Sequence, residues 1–589
     1  ILMLVVAACG TPEAAPAEEV APAEEAAPAE EAAPAEEETM ELMEVAREDT
    51  LIVGWSVSSP IGVTNPWAVP GYTHQEGNGF MWEGLSYFRI FADVEAPWLA
   101  ESMVYNDDFT ELTISVNPAA KWSDGVAVTS ADVAFTLEGQ LADETLPYHA
   151  AFVQFVESIE VVDDLTTVVT FNQPAPRFKF EVLTLKFDTG IPIVPAHVLE
   201  PLDNYSEYPG GLDMPHSGPY TNVVWDQTQK IFDLREDWWA VEAGLIEMPD
   251  VKRIVMVNLG GQVGANMEAV AQRIVNNDMD TALDFRQSLI ASTIEQNPMV
   301  TSHTGDQPPY GYLDWWPNSL WVNTLVSPYD EANVRRAMSL AIDRDKIDEI
   351  VYDGAQVTTI FPFPLYPGLE SFVARDDVQA LIAEYEPRKF DVDESASLME
   401  AAGYALNADE LWERDGETVN ATIHGFGGIH GDIVPVMEQM LLNAGFDASI
   451  NFGDDAYQQM ADGGAGMYMF GHGASLADPY EALNLFHGKY SDSIGTSAGN
   501  NRFSRYSNPE FDAILDEIAP LDANDPAFQE GAAKALGIYW AEQIDIPIIQ
   551  WLHRIAYNQT YWTNWPTAAN IGPGVNGAFW AHTGMLVVT

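Results

Sequence analysis

A mixed α/β fold divided into two or three lobes is what these 589 residues predict, on three observations. The roughly 540 residues beyond Asp49 exceed one ordinary domain. Short β-type runs alternate along them with helices that carry a single apolar stripe. Hydrophobic residues make up 47% of the chain and no cysteine follows Cys9. The predicted cores therefore hold by burial, without disulfides, thiolate metal sites or thiol catalysis.

The N-terminal residues Ile1 to Ala8 form an apolar run closed by small residues, the pattern of an export signal before its cleavage point. The run is far shorter than a bilayer span of about 20 residues. Val6-Ala7-Ala8-Cys9-Gly10 resembles the lipobox of bacterial lipoproteins. That resemblance implies that 1–9 are a signal remnant and that Cys9 is lipidated. Ala/Pro/Glu repeats then fill 10–48, with thirteen acids and one base, Arg47. With no apolar face and strong self-repulsion, this segment is predicted to be a disordered, extended tether.

In the body, Leu51 to Trp55 reads as a strand, followed by a Pro/Gly/aromatic loop that carries Trp67 and Tyr72. Leu112 to Val116 alternates as a half-buried strand. Trp122-Ser123-Asp124-Gly125 is a turn, and Thr129 with Asp132 forms a capping box for a helix that packs Val133 and Leu137. Val161 to Val169 is a hairpin, and Ile231–Leu234 and Ile254–Val257 are further strands. Val334, Ala337, Met338, Ala341 and Ile342 make the clearest helical stripe. Asp343 caps the next helix, which runs through Ile347 and Ile350 and ends at Gly354. Val436, Met437, Met440 and Leu441 form a last stripe, stopped by Gly445 before the strand Ala448–Ile450.

The net charge of −65 is spread along the chain, which makes nucleic acid and anionic lipid poor partners and points to a solvated acidic surface. Gly495-Thr496-Ser497-Ala498-Gly499 fits G-x-S-x-G but lacks the strand before it and the helix after it that a nucleophile elbow needs. Gly260 to Gly264 reads as a turn between strand and helix, not as a phosphate loop. His424 and His430 lack zinc-type spacing, so neither metal nor cofactor is expected. Aromatic supply stands out instead. Trp67, Tyr72, Trp315, Trp316, Trp562 and Trp565 sit in loop-like contexts, where rings can stack on sugars or peptide side chains.

Asn323 to Ile347, NTLVSPYDEANVRRAMSLAIDRDKI, closely resembles the signature of the peptide/nickel/dipeptide family (family 5) of ABC-transporter solute-binding proteins. Glu83-Gly84-Leu85, Pro97 to Glu101, Trp122 to Gly125, Asp132 to Phe135, Ile193 to His197, Ser217 to Tyr220 and Trp238-Trp239 follow the family in order. Asp478-Pro479-Tyr480 and Tyr506 to Asp512 complete the series. The resemblance implies a type II periplasmic-binding fold. Lobe I would comprise 49–92, 214–312 and 551–589, with an inserted subdomain over 93–213 and lobe II over 313–550. Ligand would bind in the cleft between lobes, and the motifs themselves read mostly as structural.

The family resemblance implies a binding protein, not an enzyme, held outside the cytoplasm by its lipid anchor and serving a permease with its ATPase subunits. A secreted polysaccharide hydrolase is the competing class, since two carboxylates among ninety acids would suffice for its chemistry. Peptide-binding members place an aspartate three residues before the acid of the Asp/Glu-Pro pair, to hold the ligand's ammonium. Here Ser475 stands three residues before Asp478, and His472 replaces the tryptophan three further back. An ammonium buried without a carboxylate is costly, so an oligosaccharide, β-linked by preference, is favoured over an oligopeptide. A neighbouring acid, Asp478 or Glu481, could still take the aspartate's place. The tail Tyr561 to Pro566, with Trp565, is similar to that of sugar-binding members. The expected ligand contacts are Trp67, Tyr72, Trp315, Trp316, His472, Ser475, Asp478 and Trp565.

Overall fold

The computed structural model describes residues 44–589 apart from 56–58, 69–75, 188, 261–265, 472, 499–501 and 571–588. Cys9, the repeat segment to residue 43, Tyr72, His472 and most of the Gly260–Gly264 turn therefore lie outside the described residues. The body begins earlier than the change in composition indicates, with Val45 already part of the compact unit that runs to Thr589. Arg47, counted in the tether by composition, donates to Asp280 at 2.7 Å and lies 3.9 Å over the Tyr561 ring.

One twisted sheet runs through this body and holds twelve strands among the described residues. At one end Asp447–Asn451, Asn420–His424 and Met467–Gly471 lie parallel. At the other, Thr281–Leu283, Thr50–Trp55 and Arg253–Asn258 are parallel, continued antiparallel by Gln229–Leu234 and Tyr220–Trp225. Two long antiparallel strands, Gly311–Val322 and Ile546–Asn558, join the two ends. Each end is covered by its own hydrophobic clusters. Leu51, Ile254 and Phe232 belong to one, whereas Val334, Met338, Ile423 and Met467 belong to another. A separate four-stranded antiparallel sheet, Ala100–Tyr105, Glu111–Val116, Thr166–Phe171 and Val156–Asp163, carries the helix Ser130–Ala142.

Local predictions hold where the residues set their own geometry. Thr129 Oγ1 accepts from the Ala131 N–H, and Asp132 accepts from the Thr129 N–H at 2.8 Å. Val334, Ala337, Met338, Ala341 and Ile342 are all buried, within or at the end of the helix Ala332–Ala341. Asp343 caps Arg344–Tyr352, but Ile350 is 55% exposed and Val351 packs on the core instead, one residue further round the helix. That helix also ends one residue early, because Asp353 takes the left-handed conformation at φ 50° ahead of Gly354. Gly495 to Ala498 is loop, as its polar flanks imply.

The excess of tryptophan has a different cause from the one inferred. Thirteen of the seventeen indoles are buried, so core packing, not ligand contact, consumes most of them. Trp67 packs its ring 5.5 Å from Phe135 and 5.2 Å from Tyr205. Trp565 stacks on Tyr557 at 4.8 Å and donates to the Trp562 carbonyl, while Trp562 donates to that of Thr50. The tail Tyr561 to Pro566 thereby seals the core beside the first strand. Neither Trp67 nor Trp565 presents a face to a ligand.

Candidate functional site

The two joining strands break register midway. Leu313 pairs with Leu552 and Pro317 with Gln550, so Asp314, Trp315 and Trp316 stand opposite the single residue Trp551. Such a bulge turns side chains out of the ladder, and it does so where the sheet passes from one end to the other. Trp315 lies parallel to Phe187, with centroids 6.0 Å apart and planes at 8°. Phe187 also faces Tyr366, whose hydroxyl donates to the Leu313 carbonyl. Trp316 meets Phe470 edge-on at 4.7 Å, and Phe470 meets Phe426 at 5.7 Å. Gly471 is required beneath this indole, since a Cβ there would lie 2.4 Å from the Trp316 ring. Trp315 and Trp316 remain half-buried. The sequence-predicted residues that come together are thus Trp315 and Trp316, joined by Phe187, Phe426 and Phe470. The three phenylalanines carry no local signal in the sequence that would single them out.

The loop from 473 to 478 closes one side. Ser475 is buried and its Oγ accepts the Ala482 N–H at 2.9 Å, which anchors the short helix Tyr480–Asn484 rather than facing a ligand. Asp478 is spent as well. One oxygen accepts the Tyr480 N–H at 2.8 Å and the other pairs with Arg177 Nε at 3.0 Å. The Arg177 guanidinium is wedged between the rings of Tyr480 and Phe528, at 4.6 and 4.4 Å, and donates to the carbonyls of Ala519 and Leu521. Nearby, burial pushes the carboxyl groups of Glu481 and Glu181 upward and pulls the Lys186 ammonium down. Asp478 is thus ion-paired, Glu181 lies 3.9 Å from Lys186 Nζ, and Glu481 accepts from Asn484 Nδ2 at 3.4 Å.

The motif residues serve the interior. Glu83, fully buried, receives the indole N–H groups of Trp98, Trp238 and Trp239 at 2.8, 3.2 and 2.8 Å. Three separated motifs therefore meet at one carboxyl. Arg335 donates to the carbonyls of Tyr329, Glu542 and Gln543, and Asn323 to those of Gly463 and Ala465. His424 hydrogen-bonds Gln459 and the Met467 carbonyl, and His430 hydrogen-bonds Asn318. Among the described residues no cluster of histidine, cysteine and acidic side chains could hold a metal ion. A separate polar groove of about 680 Å³ lies over Asn420, Thr422 and Asn451 and includes none of the aromatic junction.

This is the mixed α/β architecture of type II periplasmic binding proteins. The chain belongs to the bacterial extracellular solute-binding proteins, family 5, whose model matches residues 95–493. Its fold is that of the periplasmic oligopeptide-binding protein of an ABC transporter from Thermotoga maritima. The TM-score is 0.78 at 23% identity, covering 92% of this chain and 98% of that one. The same Thermotoga protein with mannohexaose bound gives 0.73 at 22% identity, covering 93% and 99%. Among curated relatives, a glutathione-binding protein from Pectobacterium atrosepticum is 24% identical, and the chain spans about half of it: the match covers 52% of each chain. A heme-binding protein from Haemophilus influenzae is 22% identical, covering 79% of this chain and 81% of that one. Family membership makes this a binding protein, not an enzyme. No helix among the described residues is long and apolar enough to cross a membrane.

Proposed function

We propose that the chain captures a neutral oligosaccharide on the aromatic junction around Trp315 and Trp316 and presents it to an ABC permease and its ATPase subunits. In this reading lobe I (49–92, 214–312, 551–589) and lobe II (313–550) close on the sugar about the joining strands, beside the inserted segment 93–213. Cys9 would carry the lipid that holds the body outside the membrane. The observation that carries the ligand class is the ion pair of Asp478 with Arg177. The acid best placed to hold a peptide's ammonium already has a cation. Flat indoles bind sugar faces while ring edges and backbone groups take hydroxyls.

Calorimetric titration with mannohexaose, a cello-oligosaccharide and tri- to pentapeptides tests this reading. Sugar binding is expected, weakened at least about tenfold, or 1.4 kcal/mol, by Trp316→Ala. Peptide binding that is abolished by blocking the peptide N-terminus would overturn it. Arg177→Met leaves Asp478 without its cation, so the ratio of peptide to sugar affinity should rise by about tenfold or more. Using the ratio cancels any general loosening of the site. An unchanged ratio would show that Asp478 lies out of reach of the ligand.

A further inference from the structure

The imidazole of His553 stands between two carboxylates. Its Nδ1 lies 2.7 Å from Asp284 Oδ1 and its Nε2 2.6 Å from Asp314 Oδ2. The three side chains are buried, with exposures of 10% for the ring and 6% and 9% for the acids. Each comes from a different strand region. Asp284 follows Thr281–Leu283, Asp314 opens the bulge that bears Trp315 and Trp316, and His553 lies within Ile546–Asn558. A neutral imidazole has one N–H, and would turn a lone pair toward one of the two carboxylates. With both acids ionised, only the doubly protonated ring satisfies both contacts, and at these distances both are then charge-assisted.

We propose that the His553 imidazolium is a positioning residue for ligand capture: it ties the Trp315–Trp316 bulge to the strand end at Asp284 and so fixes the stacking surface. This rests on the reading of the tryptophan pair as the ligand platform. The bulge is held a second time through its backbone, where Gln550 Nε2 donates to the Asp314 carbonyl at 2.6 Å. Burial alone would pull the ring's pKa down, but Asp314 and Asp284 reverse this and lift it to about 10. Tyr312 faces the ring at 5.2 Å, and Tyr366, Tyr557 and His303 lie around Tyr312. Burial holds Tyr312, Tyr366 and Tyr557 far above their ordinary range and pushes His303 down to about 4, so all four are neutral near pH 7. Arg554 donates to the carbonyls of Pro309 and Ala355, and its charge also acts on Asp284, whereas Asp314 has His553 as its ion-pair partner.

In His553→Gln the two buried carboxylates lose the cation they share, and one of them must take up a proton to restore balance. Mannohexaose affinity should fall with rising pH between about pH 5 and 8, and the melting temperature of the unliganded variant should already fall between about pH 4 and 6. The wild-type site is flat there, since the His553 contribution is fully present below 6.5 and declines only as pH rises toward about 10. Adding Asp284→Asn removes the excess charge. The double variant should lose the pH slope and recover affinity to within about threefold of wild type, with His553→Gln alone weakened about tenfold or more at the upper end. In wild-type protein at neutral pH, nitrogen NMR should show both His553 ring nitrogens protonated. A singly protonated ring, or a His553→Gln variant whose melting is as high as wild type and flat between about pH 4 and 6, overturns the bridge without reference to any ligand. Equal losses of affinity in the single and double variants, both flat with pH, overturn the positioning role. Should wild type bind no sugar at all, the platform reading fails, while the NMR and melting results still decide the bridge.

Discussion

Replacing Glu83 by alanine is expected to lower stability by about 3–5 kcal/mol, read as a shift in the unfolding midpoint followed by near-UV circular dichroism. The change removes one carboxyl and strands the N–H groups of Trp98, Trp238 and Trp239, all of them buried. A buried donor without an acceptor costs about 1–3 kcal/mol, and three of them share this one. Near-UV dichroism suits the test because the indoles themselves report their packing. The same residue sets a pH dependence. Burial, against the pull of its hydrogen-bond donors, lifts Glu83 from 4.5 to about 7. The folded state then holds this proton more tightly than the unfolded state. Its contribution is fully present below 4.5 and declines as pH rises through about 7. Glutamine cannot titrate, so the stability gap between wild type and Glu83→Gln should be widest at the acid end of that window and narrow above it. A gap that widens with rising pH would show that the carboxylate is the form the site prefers.

Arg335→Met is expected to cost a similar amount, about 3–5 kcal/mol. The guanidinium is buried and donates to the Tyr329 carbonyl at 2.7 Å, to that of Glu542 at 2.6 Å and to that of Gln543 at 2.9 Å. Two of these acceptors lie at the end of the helix Pro526–Glu542, where the last carbonyls have no partner within the helix. Methionine fills much of the volume but supplies no donor. The loss should appear first as faster amide exchange in the last turn of Pro526–Glu542 and in the segment that leads to Ile546. Arg335→Lys should recover only part, because one ammonium cannot span acceptors that the planar fork reaches together. Equal stability of the methionine variant would mean that water satisfies the same carbonyls.

These two residues show how far sequence reading reaches. The motif around Arg335 and the Glu83 segment was enough to imply the family and to mark both as structural. What each arginine or glutamate bonds to could not be read there, because the partners lie far along the chain, as Trp238 does from Glu83. The same holds at the candidate site. Trp315 and Trp316 were legible as a loop-like pair, but Phe187, Phe426 and Phe470 were ordinary apolar residues within their own segments. Trp67 and Trp565 were misread because a loop setting was taken to mean exposure, whereas irregular segments here fold back over the core. Ser475 was expected as a ligand contact. Its hydroxyl was assigned to a ligand when a nearby backbone N–H claims it.

By itself the sequence determined the things that depend on neighbours a few residues apart. These include the capping box at Thr129, the buried stripe from Val334 to Ile342, the turn at Gly125 and the glycine stop at Gly445. Each follows from hydrogen bonds or side-chain periodicity within one or two helical turns, which permit few alternatives. Only the tertiary structure decided where charge is free and where it is spent. Arg177 meets Asp478 across 301 positions of the chain, and His553 meets Asp284 across 269. Among ninety acids, any of them could in principle have been the unpaired one. Burial makes the choice, because a desolvated carboxylate must find a cation, find donors or keep its proton, and which cation lies within reach is set by how the strands cross.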